Sequence, residues 1–348
     1  EHYEVAIDRL LDNLDRPWGM AYLPDNSILV TERSGNLLLI PTEGERRNVS
    51  GIPKVWDEGQ GGLLDVAVHP NFFTNQLVYL SFSQPARDGR TAGTALIMGE
   101  LDLSTSPKLR DTRVIFSQNK KTDSSRHFGS RIVIAPDNSL FLTIGDRGQS
   151  NRAQDPFDHA GSVVRLSLDG SVPRDNPFLS GSKALREIWS IGHRNPQGAF
   201  WNPSTDSLWT VSHGAKGGDE VNRIGAGKNY GWPIISFGEN YWGTKIGEGT
   251  HKEGMEQPTY YWDPSIAPSG SVYYEGNTFP KWRENIFVGA LKFELIVRLE
   301  LRNNKVINEE RLFKNNFGRI RDVRSGPGEY LYFLTDENPG QLYRIRPN

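Results

Sequence analysis

A short strand, a turn built on Pro, Asp or Asn, and a second strand recur six times along this chain, and few architectures accept that period. The first copy runs Trp18–Leu23, Pro24-Asp25-Asn26, Ser27–Thr31 and on to Gly35–Leu39; the second runs Leu64–Val68, His69-Pro70-Asn71, Leu77–Ser81. Ser130–Ile134 and Ser139–Ile144 flank Ala135-Pro136-Asp137, and Gln197–Trp201 and Ser207–Val211 flank Asn202-Pro203. Ser271–Tyr274, Asn285–Gly289 and Leu295–Leu301 make the fifth copy, and Asp322–Arg324, Tyr330–Thr335 and Gln341–Ile345 the sixth. Each copy alternates apolar and polar residues at period two and is rich in β-branched and aromatic side chains, which is strand chemistry. Proline falls between strands, where its missing N–H costs nothing. The pattern predicts an all-β chain, a single domain over 1–348 folded as a six-bladed β-propeller of four-stranded antiparallel sheets. Pairing of Tyr3–Ile7 with Gln341–Ile345 would close the ring and remove its open edges. Two stacked β-sandwiches are the alternative; the six-fold period and the lack of a linker count against it. Three long inserts, about 83–119, 149–185 and 215–258, are expected to be functional loops.

The totals narrow the function. With 40 basic and 42 acidic residues the net charge is −2, so nothing draws the chain onto a phosphate backbone, and no nucleic-acid partner is expected. Apolar runs stop at the length of Leu37–Ile40, far short of the ~20 residues of a membrane helix. The absence of cysteine excludes disulfides, thiolate zinc sites, iron–sulfur clusters and a cysteine nucleophile together. The start at Glu1-His2-Tyr3, with no initiator Met or apolar leader, reads as a mature secreted form, although a trimmed chain would look the same.

Several loops carry residues able to do chemistry. His127 sits just before the inner strand of the third copy, where it would face the central tunnel and could act as a general base at neutral pH; taken alone, it reads more readily as a loop histidine bonded to backbone. In Gly192-His193-Arg194-Asn195-Pro196-Gln197-Gly198, Arg194 could clamp a carboxylate with Asn195 donating beside it, or could pair with an aspartate between two blades. His213-Gly214-Ala215-Lys216-Gly217-Gly218-Asp219-Glu220 offers exposed carbonyls and two acids, which suits a hard cation such as calcium; an ordinary acidic hairpin would look similar. Lys292 reads as a charge within an apolar strand, and Arg319 and Arg321 alternate so that both point to one face. With Arg194, these cations could converge on the tunnel mouth beside the carbonyl loop, a setting for a polyanionic ligand next to a metal.

Taken together these loops resemble one family, the soluble quinoprotein aldose (glucose-type) sugar dehydrogenases. The likeness is carried by Pro17-Trp18-Gly19-Met20-Ala21, Gln60-Gly61-Gly62-Leu63-Leu64, His127 with Arg131, Gly145-Asp146, Gly192 through Gly198, Asp219-Glu220-Val221-Asn222, Asn229-Tyr230-Gly231-Trp232-Pro233, Ala267-Pro268-Ser269, Leu291-Lys292 and Arg319-Ile320-Arg321-Asp322. It spans about Asp15 to Arg344. The resemblance implies a pyrroloquinoline quinone (PQQ) and calcium as cofactors and an aldose as substrate, oxidised at the anomeric carbon to the lactone. It implies His127 as the base, Arg194, Asn195 and Gln60 as quinone or active-site contacts, and Lys292, Arg319 and Arg321 as the cations on the quinone carboxylates. It implies Gly214 and Ala215 as carbonyl donors to the catalytic calcium, and Glu220 and Tyr230 as positions tied to a further calcium. The chain departs from the glucose-specific pattern at His213, Asp263 and Ser265, and at Ala215 where some members have proline; these departures bear on which sugar is used. The family implies a periplasmic location, and inserts that look shorter than those of the glucose-specific members imply a monomer. The rival readings are a calcium-dependent propeller lactonase, with central carboxylates holding the metal, and a non-enzymatic propeller that binds a ligand. The electron acceptor is not legible.

Overall fold

Two turns of like sequence show how the repeat is built. At Pro24-Asp25-Asn26-Ser27 and Pro136-Asp137-Asn138-Ser139, the aspartate Oδ1 accepts the N–H of the serine two residues on, at 2.9 and 2.8 Å. The asparagine takes the left-handed conformation, with φ of 67° and 64°, which its short polar side chain tolerates better than most. Each turn reverses the chain tightly and starts the second strand of a blade in register.

The computed structural model describes residues 3–348; the Glu1-His2 start, on which the reading of a processed terminus rested, lies outside the described residues. Blade one holds Pro17–Tyr22, Ile28–Glu32, Asn36–Ile40 and Arg47–Val49, and blade two Leu63–Val68, Leu77–Pro85, Ala92–Asp102 and Lys108–Ser117. Blade three holds Ile132–Ile134, Ser139–Thr143, Ser162–Ser167 and Ile188–Ile191, extended by a short parallel strand, Lys228–Asn229. Blade four is Pro196–Asn202, Ser207–Ser212, Asp219–Arg223 and Tyr260–Trp262, and blade five Pro268–Tyr274, Asn285–Ala290, Leu295–Arg302 and Lys305–Leu312. Blade six joins Ile320–Ser325, Leu331–Thr335 and Gly340–Pro347 to the N-terminal strand Val5–Leu14. That pairing is antiparallel, runs from Val5 opposite Pro347 to Leu14 opposite Gly340, and closes the ring; Tyr3 lies outside it. The first strand of each blade packs against those of its two neighbours in cyclic order, so all six line one tunnel.

There is no single core. Six apolar layers fill the six gaps between blades. Leu29, Leu37 and Leu39 pack toward blade two with Val66 and Leu80, while Val30 and Leu38 from the same strands pack toward blade six with Leu334 and Leu342. Strands covered on both faces need apolar residues at both parities, which is why Asn36–Ile40 reads Asn-Leu-Leu-Leu-Ile rather than as a clean alternation. Each fully buried Leu, Ile or Val contributes about 1.5–3 kcal/mol.

One of the expected loops is corrected. Most of 83–119 is strand, the outer half of blade two, hidden in sequence because its turns, 86–91 with Asp88-Gly89 and 103–107 ending on Pro107, are longer than the Pro-Asp-Asn turns of the repeat. The 149–185 insert contains the strand Ser162–Ser167. Apart from that strand it is largely irregular, as is 215–258, which contributes Asp219–Arg223 and Lys228–Asn229.

Candidate active site

At the tunnel centre, where the first strands converge, four charges neutralise one another. Arg131 NH1 lies 3.1 Å from Asp322 Oδ1 and 3.4 Å from Asp65 Oδ1; Arg324 reaches the same two carboxylates at 3.0 and 2.9 Å. Asp65 also accepts the Ile132 N–H at 2.9 Å, and the Arg131 guanidinium stacks over Trp18, 4.0 Å from its ring centroid. The neighbouring backbone has to come very close: a Cβ on Gly270 would sit 1.8 Å from Asp322 Oδ1. This plug ties blades one, two, three and six together. Arg131 and Arg324, not Arg194, thus bridge blades through aspartates.

Just above the plug, on the side where these first strands begin, stands His127. It is buried, 8% exposed, and its φ of 55° is unusual for a non-glycine residue. Gln60 Oε1 accepts its backbone N–H at 2.8 Å and so fixes that conformation. Gly145 lets the loop approach, since a Cβ there would lie 2.2 Å from the His127 carbonyl oxygen. The His127 Nδ1 is 2.7 Å from Asp146 Oδ1, and Asp146 Oδ2 accepts the Trp232 indole N–H at 2.8 Å. Nε2 makes no hydrogen bond to any described residue. Burial depresses the His127 pKa below its ordinary 6.5, partly opposed by the Asp146 hydrogen bond and reinforced by the charge of Arg194. Burial would raise the Asp146 carboxyl, but the His127 hydrogen bond and charge, with Arg194, bring it below its ordinary range. The pair is therefore a neutral imidazole against an ionised carboxylate at pH 7.

The other histidines nearby differ. His193 bonds Ser190 at 2.8 Å, stacks on Tyr230 at 4.8 Å, and burial pulls its pKa to about 3. His213 is driven well below 6.5 by burial and then by Arg194, His127 and Arg321, and its Nε2 is buried without a partner.

Of the expected cations, Arg319 and Arg321 line the tunnel mouth. A cavity of about 150 Å³ is lined by Gln60, Gln197, His213, Arg319, Arg321 and Asp336, with Trp18, Arg33 and Leu291. Arg319 and Arg321 share Asp336, at 3.0 and 2.6 Å, and Arg321 also bonds Gln197 at 2.8 Å. Lys292 departs from expectation: it is exposed, in the turn between Asn285–Ala290 and Leu295–Arg302 rather than within a strand. The turn tips it over a second cavity of about 570 Å³, lined with His213, Gly214, Ala215, Tyr241, Asp263 and Ser265. Lys292, Arg194 and Arg33 pair with no carboxylate among the described residues. Arg194 instead reaches the His213 carbonyl at 3.4 Å and lies 5.3 Å from the Trp232 ring. Asn195 faces inward and accepts the Gly129 N–H at 3.1 Å. Arg33, Tyr241 and Asp336 were not singled out from the sequence; a lone charge or ring in a loop carries no signal until the ring of blades brings it to the mouth.

The carbonyl turn is held from behind. Asp219 Oδ1 accepts the Gly214 N–H at 2.8 Å, while Oδ2 accepts from Ser265 Oγ and the N–H groups of Ile266 and Ala267 at 2.7–3.1 Å. Asp219 is therefore spent on fixing two loops. Neither the Gly214 nor the Ala215 carbonyl receives a backbone N–H from a described residue. Glu220 and His193 line a small enclosed cavity, and burial pushes the Glu220 carboxyl up to about 7. The Tyr230 hydroxyl is committed to the Arg223 carbonyl and the Gly225 N–H.

Residues 14–344 match the glucose/sorbosone dehydrogenase family, and the chain belongs to it. It is 44% identical over 347 residues to the aldose sugar dehydrogenase YliI of Escherichia coli, covering 99% of this chain and 93% of that one. It is 29% identical over 458 residues to quinoprotein glucose dehydrogenase B of Acinetobacter calcoaceticus, covering 99% and 91%. The crystal structure of the soluble aldose sugar dehydrogenase from Escherichia coli in the apo-form superposes with a TM-score of 0.95 at 42% identity, covering 99% of this chain and all of that one.

Proposed function

We propose that this chain oxidises an aldose at its anomeric carbon to the lactone, using PQQ and calcium, with His127 as general base. The observation that carries the reading is His127 itself: a neutral imidazole, oriented by an ionised carboxylate, with Nε2 uncommitted beside a mouth rich in unspent positive charge. When bound, the quinone supplies a hydride acceptor and calcium a Lewis acid that polarises it. The residues present fit that pair. Lys292 has no carboxylate partner, and Arg319 and Arg321 have only Asp336 between them, so a ligand carrying several carboxylates would balance the mouth. Arg194, Asn195 and Gln60 complete the contacts. The carbonyls of Gly214 and Ala215 suit a hard cation, and Glu220, with the main chain at Tyr230, suits a further one.

The sugar's anomeric carbon gives up a hydride as its hydroxyl gives up a proton. His127 Nε2 takes that proton, and Asp146 stabilises the imidazolium that forms. His193, bonded to Ser190, and His213, strongly disfavoured as a cation, are poorer bases. A calcium-dependent lactonase would need central carboxylates free for the metal, but Asp65 and Asp322 are each held by two arginines. We further propose that the protein works in the periplasm as one monomeric domain; no helix among the described residues is long and apolar enough to cross a membrane. The test is to add PQQ and calcium to purified protein and follow aldose-dependent dye reduction. Absence of reduction across a panel of aldoses would overturn the reading.

A further inference from the structure

We propose that Trp232 is a positioning residue, which sets the basicity of His127 by holding the far oxygen of Asp146. This rests on the reading of His127 as the base. Asp146 is 1% exposed and accepts three hydrogen bonds: from His127 Nδ1 at 2.7 Å and the Gly148 N–H at 2.7 Å on Oδ1, and from Trp232 Nε1 at 2.8 Å on Oδ2. An indole nitrogen can only donate, and so can a backbone N–H. Three donors on the two oxygens favour the ionised Asp146 carboxylate over its protonated form. It stays ionised, His127 keeps its proton on Nδ1, and the lone pair falls on Nε2, toward the mouth.

The indole is built in. Trp232 donates its backbone N–H to the Gly192 carbonyl at 3.0 Å. Its own carbonyl accepts from Gln154 Nε2 at 2.7 Å, and Gln154 and Asn229 exchange side-chain hydrogen bonds at 2.8 and 3.1 Å. A tryptophan placed merely to fill space would not need its N–H aimed at a buried carboxylate. The charged groups around His127 are Asp146, which favours its protonation, and Arg194 and Arg126, which oppose it; His213 nearby is neutral. Each donor on Asp146 spreads its negative charge and weakens its pull on an imidazolium. Removing the indole N–H therefore makes His127 easier to protonate, and the base is lost at higher pH.

The experiment follows the His127 imidazole by NMR titration of the cofactor-free protein, where seven histidines keep the spectrum simple. Trp232→Phe should move the His127 midpoint to higher pH; an unchanged midpoint in the folded variant overturns the proposal. Should Trp232→Phe fail to fold, the Trp232 indole N–H of the unaltered protein serves instead. It should shift with the same midpoint as His127, and insensitivity overturns the coupling. In the loaded enzyme, Trp232→Phe should raise the ratio of kcat/KM at pH 8 to that at pH 6 about threefold to tenfold. The two readings fail separately. Sugar oxidation that survives His127→Ala removes the base but not the coupling seen by NMR; an unmoved His127 midpoint in an active enzyme removes only the coupling.

Discussion

The plug at the centre of the tunnel and the mouth above it are made of the same residue types and behave as opposites. In the plug, Arg131 and Arg324 meet Asp65 and Asp322, two positive charges against two negative, and all but Arg324 are fully buried. At the mouth, Arg319 and Arg321 share one aspartate, and Lys292, Arg194 and Arg33 have none among the described residues. A buried ion cluster that neutralises itself holds blades together; one with cations to spare is shaped for something that arrives later. Charge balance, not the presence of charge, separates scaffold from site.

The contrast breaks or sharpens under mutation. The largest effect is expected in the plug. Arg131→Ala leaves two buried carboxylates with Arg324 as their one remaining arginine and should cost about 3–5 kcal/mol of stability, read by denaturant unfolding. A variant as stable as its parent would show that the plug is no scaffold. Next comes His127→Ala, which should lower kcat by about 10²–10⁴-fold with the thermal midpoint unmoved; equal losses of stability and turnover would place His127 with the plug. Lys292→Ala, exposed in a turn, should leave stability within about 0.5 kcal/mol while weakening quinone binding about tenfold to a hundredfold, measured by titrating PQQ into protein with calcium. The smallest effect is on pH. His127 works as the neutral imidazole, and its pKa lies below 6.5. Turnover should therefore hold as pH falls through 6.5 and fail only at more acid values; a kcat/KM profile that collapses above 6.5 would contradict the burial argument.

The fold was legible because turns repeat: Pro-Asp-Asn-Ser at 24–27 and 136–139 fixed the register of two blades, and the strands after each Pro turn were placed within a few residues. The outer strands were less so. Arg47–Val49 and Lys305–Leu312 are largely polar and half-exposed, and Ala92–Asp102 is broken by glycines, so neither period stands out. For the site, the sequence pointed to His127, Arg194, Arg319 and Arg321, which the ring brings to one mouth. It misplaced Lys292, because the turn Leu291–Glu294 lies between two apolar strands without a Pro or Gly to mark it. It did not give the plug: Asp65, Arg131 and the Asp322–Arg324 pair lie far apart in sequence, toward three different blades, and only closure of the ring shows that they meet.

The closure by Val5–Leu14 has a consequence for how the molecule is made. Val5–Leu14 is made before the six blades' other strands and finds its partner, Gly340–Pro347, only when those have followed. That contact spans more than 320 residues, and loop closure over such a distance is entropically costly and slow. Until then the last blade lacks its outer strand, and the exposed edge is open to pairing with other chains. Loss of either strand should reopen that same seam, so Val5–Leu14 and Gly340–Pro347 form one point of vulnerability although they are far apart in sequence.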